Sequence, residues 1–192
     1  MEGKLFIFSA PSGSGKSTIV QHLMNLDLGL AFSISATSRN PREGEVDGRE
    51  YHFISPWTFR KKIDNQEFLE WEEVYSGQYY GTLRSEVDRI WNRGQHAIFD
   101  IDVMGGINLK REFGNKACAI FVKPPSLEVL EQRLRSRGTD DKASLEKRLG
   151  KAEYEMSQAP HFDYILVNDS LEHALLNAET LVRDFLNKPH SQ

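Results

Sequence analysis

The chain has 192 residues, of which 39% are hydrophobic and 27% charged, a composition typical of a globular protein and not of a disordered or collagen-like chain. Its net charge of -4 argues against a sequence-independent nucleic-acid binder, which carries a basic field, and no run approaches the ~18 apolar residues of a membrane span. Cys118 is the only cysteine, which excludes an intrachain disulfide, so we expect a cytoplasmic protein. From the charge and the apolar runs, we expect its partners to include neither nucleic acid nor membranes.

Short apolar runs bounded by turn residues predict the strands of a buried parallel sheet. These runs are residues 5–9, 97–102, 117–122 and 164–167. Apolar residues recur at helical spacing after the first run, from Ile19 to Met24, and again along residues 171–186. Strands that alternate with helices indicate an α/β fold, a three-layer sandwich around a parallel central sheet.

Two segments interrupt this alternation. Residues 35–85 are rich in Gly, Arg, Glu and Tyr and contain alternating pieces, which predicts a small, partly β insert. Residues 126–157 are strongly charged and place Leu127, Leu130 and Leu134 on one face, which predicts a helical arm. The core domain is then built from the remaining residues, 1–34, 86–125 and 158–192.

A glycine-rich run follows the first predicted strand and opens a helix, the context of a phosphate-binding loop or P-loop. Its backbone N–H groups can wrap around phosphate, Lys16 can reach the β- and γ-phosphates, and the Ser17 hydroxyl can ligate Mg²⁺. The loop residues that we expect to bind ATP are Ala10, Pro11, Ser12, Gly13, Ser14, Gly15, Lys16, Ser17 and Thr18. Ala10 replaces the first glycine of G-x-x-x-x-G-K-[ST], which is harmless where that residue needs no positive φ.

Two carboxylates, Asp100 and Asp102, end the second predicted strand. Being two residues apart, they face the same side of the strand, at the end where open α/β sheets bind ligands. Carboxylates that close an apolar run are costly unless they meet water, a cation or hydrogen-bond donors. Either they cap the glycine-containing turn that follows, or one of them helps to hold Mg²⁺, directly or through water.

The insert carries a specific motif between Thr37 and Phe53. Every fixed position there matches the pattern T-[ST]-R-x-x-[KR]-x-x-E-x-x-G-x-x-Y-x-F, and on these residues the chain closely resembles guanylate kinases. The resemblance continues through residues 67–71, 79–82, 100–102 and 133–148, so it covers nearly the whole chain. It implies a P-loop NTPase fold in which the insert binds GMP or dGMP, the arm is a helical lid, and ATP with Mg²⁺ supplies the phosphoryl group.

Four side chains of the insert fit the phosphate of a nucleoside monophosphate. Arg39 and Arg42 flank Pro41, which stiffens the turn, and their two guanidinium forks can clamp a phosphate. Tyr51 and Tyr80 can add hydroxyl donors to the same group. Taken singly, each of these residues fits a solvated turn or a half-buried strand equally well, and only the combination favours a phosphate site.

Another set fits the guanine base. Glu70 can accept from the N1–H and N2–H₂ donors of guanine, while the hydroxyls of Ser35 and Thr82 can donate to O6. Adenine lacks that donor pair and would leave Glu70 unpaired. The resemblance also places Asp102 near the guanine amino group, which leaves Asp100 as the residue expected to help with Mg²⁺.

The arm is basic. Arg133 and Arg137 lie four residues apart on one helix face, which is either a solvated surface or a face that closes over phosphates. The resemblance assigns the closing role to Arg137 and Arg148 with support from Arg133 on the ATP side, and it places the adenine pocket at Asn168 and Asp169.

We therefore expect a guanylate kinase activity in which the catalytic residues are Lys16, Arg42, Arg137 and Arg148. Two alternatives stay open: a non-catalytic interaction module of the same family, and a P-loop kinase for another small phosphorylated acceptor. Such modules typically lack a working ATP loop, whereas Gly13, Gly15, Lys16 and Ser17 are intact here. The sequence leaves the oligomeric state open, a homodimer included.

Overall fold

A computed structural model describes residues 3–136 and 142–188, which contain nine strands and seven α-helices. The strands are β1 (Leu5–Ser9), β2 (Leu30–Phe32), β3 (Ala36–Thr37), β4 (His52–Phe53), β5 (Phe68–Tyr75), β6 (Gln78–Leu83), β7 (His96–Asp100), β8 (Ala117–Lys123) and β9 (Tyr164–Val167). The helices are α1 (Lys16–Met24), α2 (Pro56–Asp64), α3 (Arg84–Asn92), α4 (Val103–Phe113), α5 (Leu127–Ser136), α6 (Lys142–Ser157) and α7 (Leu171–Asn187).

Five strands form a parallel sheet in the order β2-β7-β1-β8-β9. All five residues of β1 are buried, and Leu5 lies opposite Ala97 on one neighbour and Ala117 on the other. The chain thus adds β7 on one side of β1 and β8 on the other. Such a reversal of strand order opens a crevice at the carboxyl end of the sheet, where open α/β folds bind ligands.

Helices cover both faces of this sheet because successive side chains of a strand point to opposite faces. Phe6 and Phe8 pack in one cluster with α1 and α7, through residues such as Val182. Leu5 and Ile7 pack in the other cluster with α3 and α4. The arrangement confirms the predicted three-layer α/β fold with a parallel central sheet.

The predicted strand over residues 97–102 ends earlier than expected. β7 stops at Asp100, and Asp102 is the N-cap of α4, where its Oδ1 accepts a hydrogen bond from the N–H of Gly105 at 2.9 Å. Asp102 was expected either to cap the following turn or to help hold Mg²⁺, and the structure shows it as a helix cap. The cap satisfies a helix N–H group that would otherwise lack a partner.

A second, four-stranded sheet lies within the predicted insert, in the order β4-β3-β6-β5. β3 pairs parallel with β4, while β6 pairs antiparallel with β3 and β5, so the sheet is mixed. It buries a separate apolar cluster with α2, in which the Phe59 ring stacks on Phe68 with 4.3 Å between centroids. The insert thus has a small core of its own.

The predicted arm contains α5 and α6. They bury another separate cluster between them, made of Leu130, Leu134, Leu145 and Ala152. This cluster follows from apolar residues at helical spacing on both helices. Within the described ranges, no helix combines the length and apolar character needed to cross a membrane.

Candidate active site

A cavity of about 450 Å³ opens at the carboxyl end of β1, bordered by both sheets and by α6. Its lining includes all nine residues of the P-loop run, 10–18. The other predicted site residues that line it are Ser35, Tyr51, Glu70, Tyr80, Asp100 and Asp102. Residues that lie far apart in the chain therefore meet at one place, the edge of the parallel sheet where a ligand was expected.

The P-loop takes the backbone course that its glycines permit. Gly13 and Gly15 have φ values of 96° and 90°, in the left-handed region that glycine adopts at little cost. Among the described residues, only Gln66 combines a side chain with a positive φ. Ala10 therefore does not need the backbone freedom of the glycine that it replaces.

Lys16 and Ser17, at the start of α1, both contact Asp100 at the end of β7. The Lys16 ammonium lies 2.8 Å from Asp100 Oδ1 and donates to the carbonyl of Ile101 at 2.6 Å. The Ser17 hydroxyl donates to Asp100 Oδ2 at 2.6 Å. One carboxylate thus holds both functional side chains of the loop at the mouth of the cavity.

The chemistry of this trio fits Mg²⁺. Hydroxyl and carboxylate oxygens suit that ion, which commonly takes one or two protein carboxylates and completes its shell with water and substrate phosphates. In the described ranges, no cluster of three or more His, Cys, Asp or Glu side chains could hold a metal by itself. Ser17 and Asp100 are the residues that would hold the ion together with a nucleotide.

Arg39 is fixed by its neighbours. Its two terminal nitrogens donate to the carboxylate of Glu45 at 2.6 and 2.7 Å, its Nε donates to the Tyr80 hydroxyl at 3.1 Å, and its guanidinium lies 5.1 Å from the Tyr51 ring centroid. Glu45 also accepts from the backbone N–H of Arg42 at 2.7 Å, while the Arg42 side chain is exposed. The hydrogen bonds from Arg39, followed by that from Arg42, lower the pKa of Glu45 to about 2.

Glu45 was not predicted as a site residue, although a glutamate is fixed at that position of the family pattern. Neither Arg39 nor Arg42 lines the cavity, but Arg39 contacts Tyr51 and Tyr80, which do. Two arginines, Arg39 and Arg42, and one glutamate, Glu45, therefore lie behind the two tyrosines, and they carry a net positive charge there. An anion that enters between the tyrosines would meet a guanidinium already held in place.

Glu70 and Thr82 face each other across β5 and β6. Glu70 is only 6% exposed, and this burial, augmented by the negative charge of Asp102, raises its pKa to about 7. The Thr82 hydroxyl lies close enough to oppose that rise, yet it reaches hydrogen-bond geometry with no group of the described residues. A buried carboxylate beside a buried, unpaired hydroxyl suits a ligand that brings both donors and an acceptor.

Space beside Glu70 is kept open by a glycine. A Cβ atom on Gly105, in the first turn of α4, would lie 2.8 Å from Glu70 Oε2. Asp102, which caps the same helix through one carboxylate oxygen, lines the cavity from the other side. The base of the cavity thus carries two carboxylates on two different elements.

Asn168 supports the P-loop from β9. It is 4% exposed, and its side-chain amide donates to the carbonyl of Ser14 at 2.7 Å. Arg133 on α5 donates to the carbonyl of Asn168 at 2.9 Å, whereas Asp169 accepts from the N–H of Ser170. Arg133, Asn168 and Asp169 do not line the cavity; Asn168 contacts the phosphate loop directly, and Arg133 contacts Asn168.

The arm also contributes to the cavity, through Lys151 and Glu155 on α6. Their side chains approach to 3.5 Å, and burial raises the pKa of Glu155 while Lys151 opposes the rise. Sequence reasoning missed both, since nothing in a charged helix shows which face meets another segment. Of the arginines predicted for the arm, Arg148 is an exposed residue of α6, and Arg137 lies outside the described residues.

These features define a class of protein. A P-loop whose lysine and serine meet an aspartate, opposite a second polar pocket in the same cavity, is the arrangement of a P-loop kinase with a small-molecule acceptor. Residues 2–185 match the family model described as guanylate kinase, and the chain belongs to that family.

Individual relatives agree over almost the whole chain. The guanylate kinase of Bacteroides thetaiotaomicron is 55% identical over 98% of this chain and 92% of its own length, and that of Porphyromonas gingivalis is 48% identical over 96% and 99%. The crystal structure of guanylate kinase from Anaplasma phagocytophilum superposes with a TM-score of 0.74 at 26% identity, covering 97% of this chain and 87% of that one.

Proposed function

We propose that the chain is an ATP:GMP phosphotransferase, which moves the γ-phosphoryl group of ATP to GMP and yields ADP and GDP. Membership in the guanylate kinase family supports this activity. The observation that carries it is the shared cavity, which is lined by the P-loop at one end and by the buried Glu70 at the other, with Thr82 opposite Glu70 on the neighbouring strand. A donor and an acceptor nucleotide can therefore meet inside one enclosure.

The donor end binds the phosphates of ATP. Backbone N–H groups of the P-loop and the Lys16 ammonium contact the phosphate oxygens, at the N-terminus of α1 where the helix dipole favours negative charge. Ser17 and Asp100 would hold Mg²⁺, which would supply positive charge to the phosphates. Asp100 lies 2.8 Å from the Lys16 ammonium, and a bound nucleotide would compete for that ammonium because its phosphates carry more negative charge than one carboxylate.

The acceptor end binds the phosphate of GMP. Arg39 stays in place through Glu45, and Tyr51 and Tyr80 donate their hydroxyls to the phosphate. Arg42, whose side chain is exposed on the same turn, adds its guanidinium and neutralises charge during transfer. Because these groups are positioned by the second sheet, movement of that sheet toward the P-loop aligns the GMP oxygen with the γ-phosphorus.

The base is read by the carboxylate of Glu70 and the hydroxyls of Ser35 and Thr82. Glu70 accepts from N1–H and N2–H₂ of guanine, and the hydroxyls donate to O6. Asp102, which also lines the cavity, would lie near the guanine amino group, as the family resemblance implies. Adenine offers an acceptor at N1 and would leave a buried carboxylate without a donor, which is the physical basis of selection against AMP.

The insert, residues 35–85, and the arm, residues 126–157, act as closing units on the core. Their separate apolar clusters support this division, since each unit can move without opening the main core. In this mechanism Arg137 and Arg148 are brought to the transferring phosphate by the arm. The family resemblance places the adenine of ATP beside Asn168 and Asp169, with Arg133 in support, although none of the three lines the cavity described above.

A panel of acceptors tests the proposal. ADP release is measured with ATP, Mg²⁺ and either GMP, AMP, CMP or UMP, for the native chain and for Lys16→Met and Glu70→Gln. We expect turnover with GMP only, its loss in Lys16→Met, and a large rise in KM for GMP in Glu70→Gln. GMP binding without any turnover would instead identify a non-catalytic module, and turnover with another monophosphate would refute the assignment of Glu70.

A further inference from the structure

Glu86, in the first turn of α3, is a buried acidic residue that the phosphoryl transfer does not use. It is 4% exposed, and its carboxylate is surrounded by donors from three segments. Oε1 accepts from the backbone N–H of Ile34 at 2.9 Å, and the Arg89 guanidinium donates to both oxygens at 2.6 and 2.9 Å. The ring of His52 lies nearby, with Nε2 3.8 Å from Oε2.

These partners adjoin the GMP side of the cavity. Ile34 immediately precedes Ser35, and His52 immediately follows Tyr51, both of which line the cavity. The two segments are also joined to each other, because the N–H of His52 donates to the carbonyl of Ser35 at 2.9 Å. One carboxylate therefore fixes the backbone on which a predicted base-contacting hydroxyl and a predicted phosphate-contacting tyrosine are carried.

Glu86 also occupies the place where the chain passes between the two sheets. The outgoing segment leaves the parallel sheet at Ser33, whose N–H donates to the carbonyl of Ile98 at 2.9 Å, and the chain returns from the second sheet through α3. Burial works against ionisation of Glu86, but the donors from Arg89 and Ile34 outweigh it and hold the pKa of the carboxyl below its usual value. The Glu86 carboxylate, which anchors these segments, is therefore charged at neutral pH.

We propose that Glu86 is a positioning residue for the acceptor half of the site, holding the segments of Ser35 and Tyr51 in the register that GMP requires. The inference rests on the proposed function, since it concerns the same acceptor pocket. A hydrogen bond to a charged group is strong and directional, and the alignment of groups that touch a substrate depends on such supporting contacts. The P-loop does not contact Glu86, so the donor half is unaffected.

The test compares KM for GMP with KM for ATP in Glu86→Ala, Glu86→Gln and Arg89→Met. In Glu86→Ala we expect KM for GMP to rise about tenfold while KM for ATP stays within about twofold. Glu86→Gln keeps an acceptor for the Ile34 N–H and should recover most of that loss. The matched control is Glu179→Gln, which breaks the pair of Glu179 with Arg183 on α7, at 2.8 Å and far from the cavity.

Thermal unfolding of each variant, monitored by circular dichroism, shows whether it folds. If Glu86→Ala does not fold, Arg89→Met carries the comparison and should raise KM for GMP more than KM for ATP, while Glu86→Gln stays close to the native values. Equal changes in the two KM values, or none in either, would overturn the proposal and leave Glu86 with a purely structural role. Failure of the native chain to phosphorylate GMP would refute the proposed function instead, so the two failures are distinguishable.

Discussion

At the scale of single residues, the proposed acceptor site is organised without a bound nucleotide. The ion pair of Arg39 with Glu45 raises the pKa of the arginine and lowers that of the carboxyl, so both stay charged across the physiological range. The Tyr51 and Phe53 rings, 5.1 and 5.5 Å from the guanidinium carbon, add cation–π contacts. A phosphate therefore meets a donor whose side-chain entropy has already been lost.

Arg42 and Arg135 offer a matched comparison of two exposed arginines. Arg42 extends from the turn that Glu45 holds, whereas Arg135 pairs with Glu131 one helical turn away, on the surface of α5. We expect Arg42→Ala to lower kcat/KM for GMP about 10- to 100-fold, the value of a charge-assisted hydrogen bond to phosphate. Arg135→Ala should change it by less than about twofold, because exposed pairs contribute little. Similar activities in the two variants would refute the role of Arg42.

Glu70 predicts a pH dependence of GMP binding. With its pKa raised to about 7, the free protein holds a proton on this carboxyl below neutral pH, whereas guanine requires the ionised form. GMP affinity should therefore increase between about pH 6 and pH 8 and then level off. Titration calorimetry at pH 6, 7 and 8 measures this. Glu70→Gln is the control, because the phosphate of GMP titrates equally with both proteins while the variant lacks the Glu70 carboxyl. The same pH profile of GMP affinity in both proteins would contradict the prediction.

The raised pKa of Glu70 also affects the stability of the free protein, which it lowers as pH rises, whereas it makes GMP binding tighter as pH rises. The folded state binds the Glu70 proton more tightly than the unfolded chain does, so this group's contribution to the free energy of unfolding falls as pH rises from about 4.3 to about 7. Glu70→Gln removes that contribution. In urea unfolding without nucleotide, we expect the stability of the variant relative to the native chain to increase between pH 5 and pH 7, and a constant difference would refute the raised pKa.

Single residues also show what the sequence could reveal of the site. The P-loop, Asp100 and Glu70 were predictable because a local pattern or a family motif marks them. Lys151 and Glu86 were not, since Lys151 reaches the cavity, and Glu86 reaches Ile34 and His52, only because segments distant in the chain pack together. Such contacts are set by tertiary packing, which leaves no periodic signal in a charged helix.

At the scale of elements, predictability follows burial. β1 and β8 are covered on both faces and read as continuous apolar runs, which made them visible. β2 has three residues and β3 and β4 have two each, too few for any alternation to be counted. The end of β7 was misplaced because a carboxylate can either extend a strand or cap a helix, and only the position of α4 decides.

The link between β9 and the P-loop yields a prediction for Asn168. Its amide donates to the Ser14 carbonyl from a buried position, and it packs against Gly15 closely enough that a Cβ there would collide with the amide nitrogen. Asn168→Ala should release the loop and raise KM for ATP about tenfold while KM for GMP changes little. Asn92→Ala, at the exposed end of α3, is the control, and a larger effect on GMP than on ATP would contradict the assignment.

At the scale of the whole molecule, the residues that the structure describes form four apolar clusters. Two of them pack the faces of the parallel sheet, and the other two belong to the insert and the arm. The core, the insert and the arm all border the cavity, so its shape depends on their relative positions. Small clusters with few buried side chains open more readily than the main core, so we expect the insert and the arm to move more than the core.

Hydrogen exchange with and without nucleotides tests this division. Amides of β1 and β8 should exchange most slowly in both states, since they open only through global unfolding. Amides of β5 and α6 should exchange faster in the free protein and slow markedly when GMP and a non-hydrolysable ATP analogue are bound together, because both substrates join these elements to the P-loop. Lys16→Met, exposed to the same mixture, should leave α6 less protected. Protection that rises uniformly over both sheets would show instead that the molecule closes as one body and that neither the insert nor the arm moves by itself.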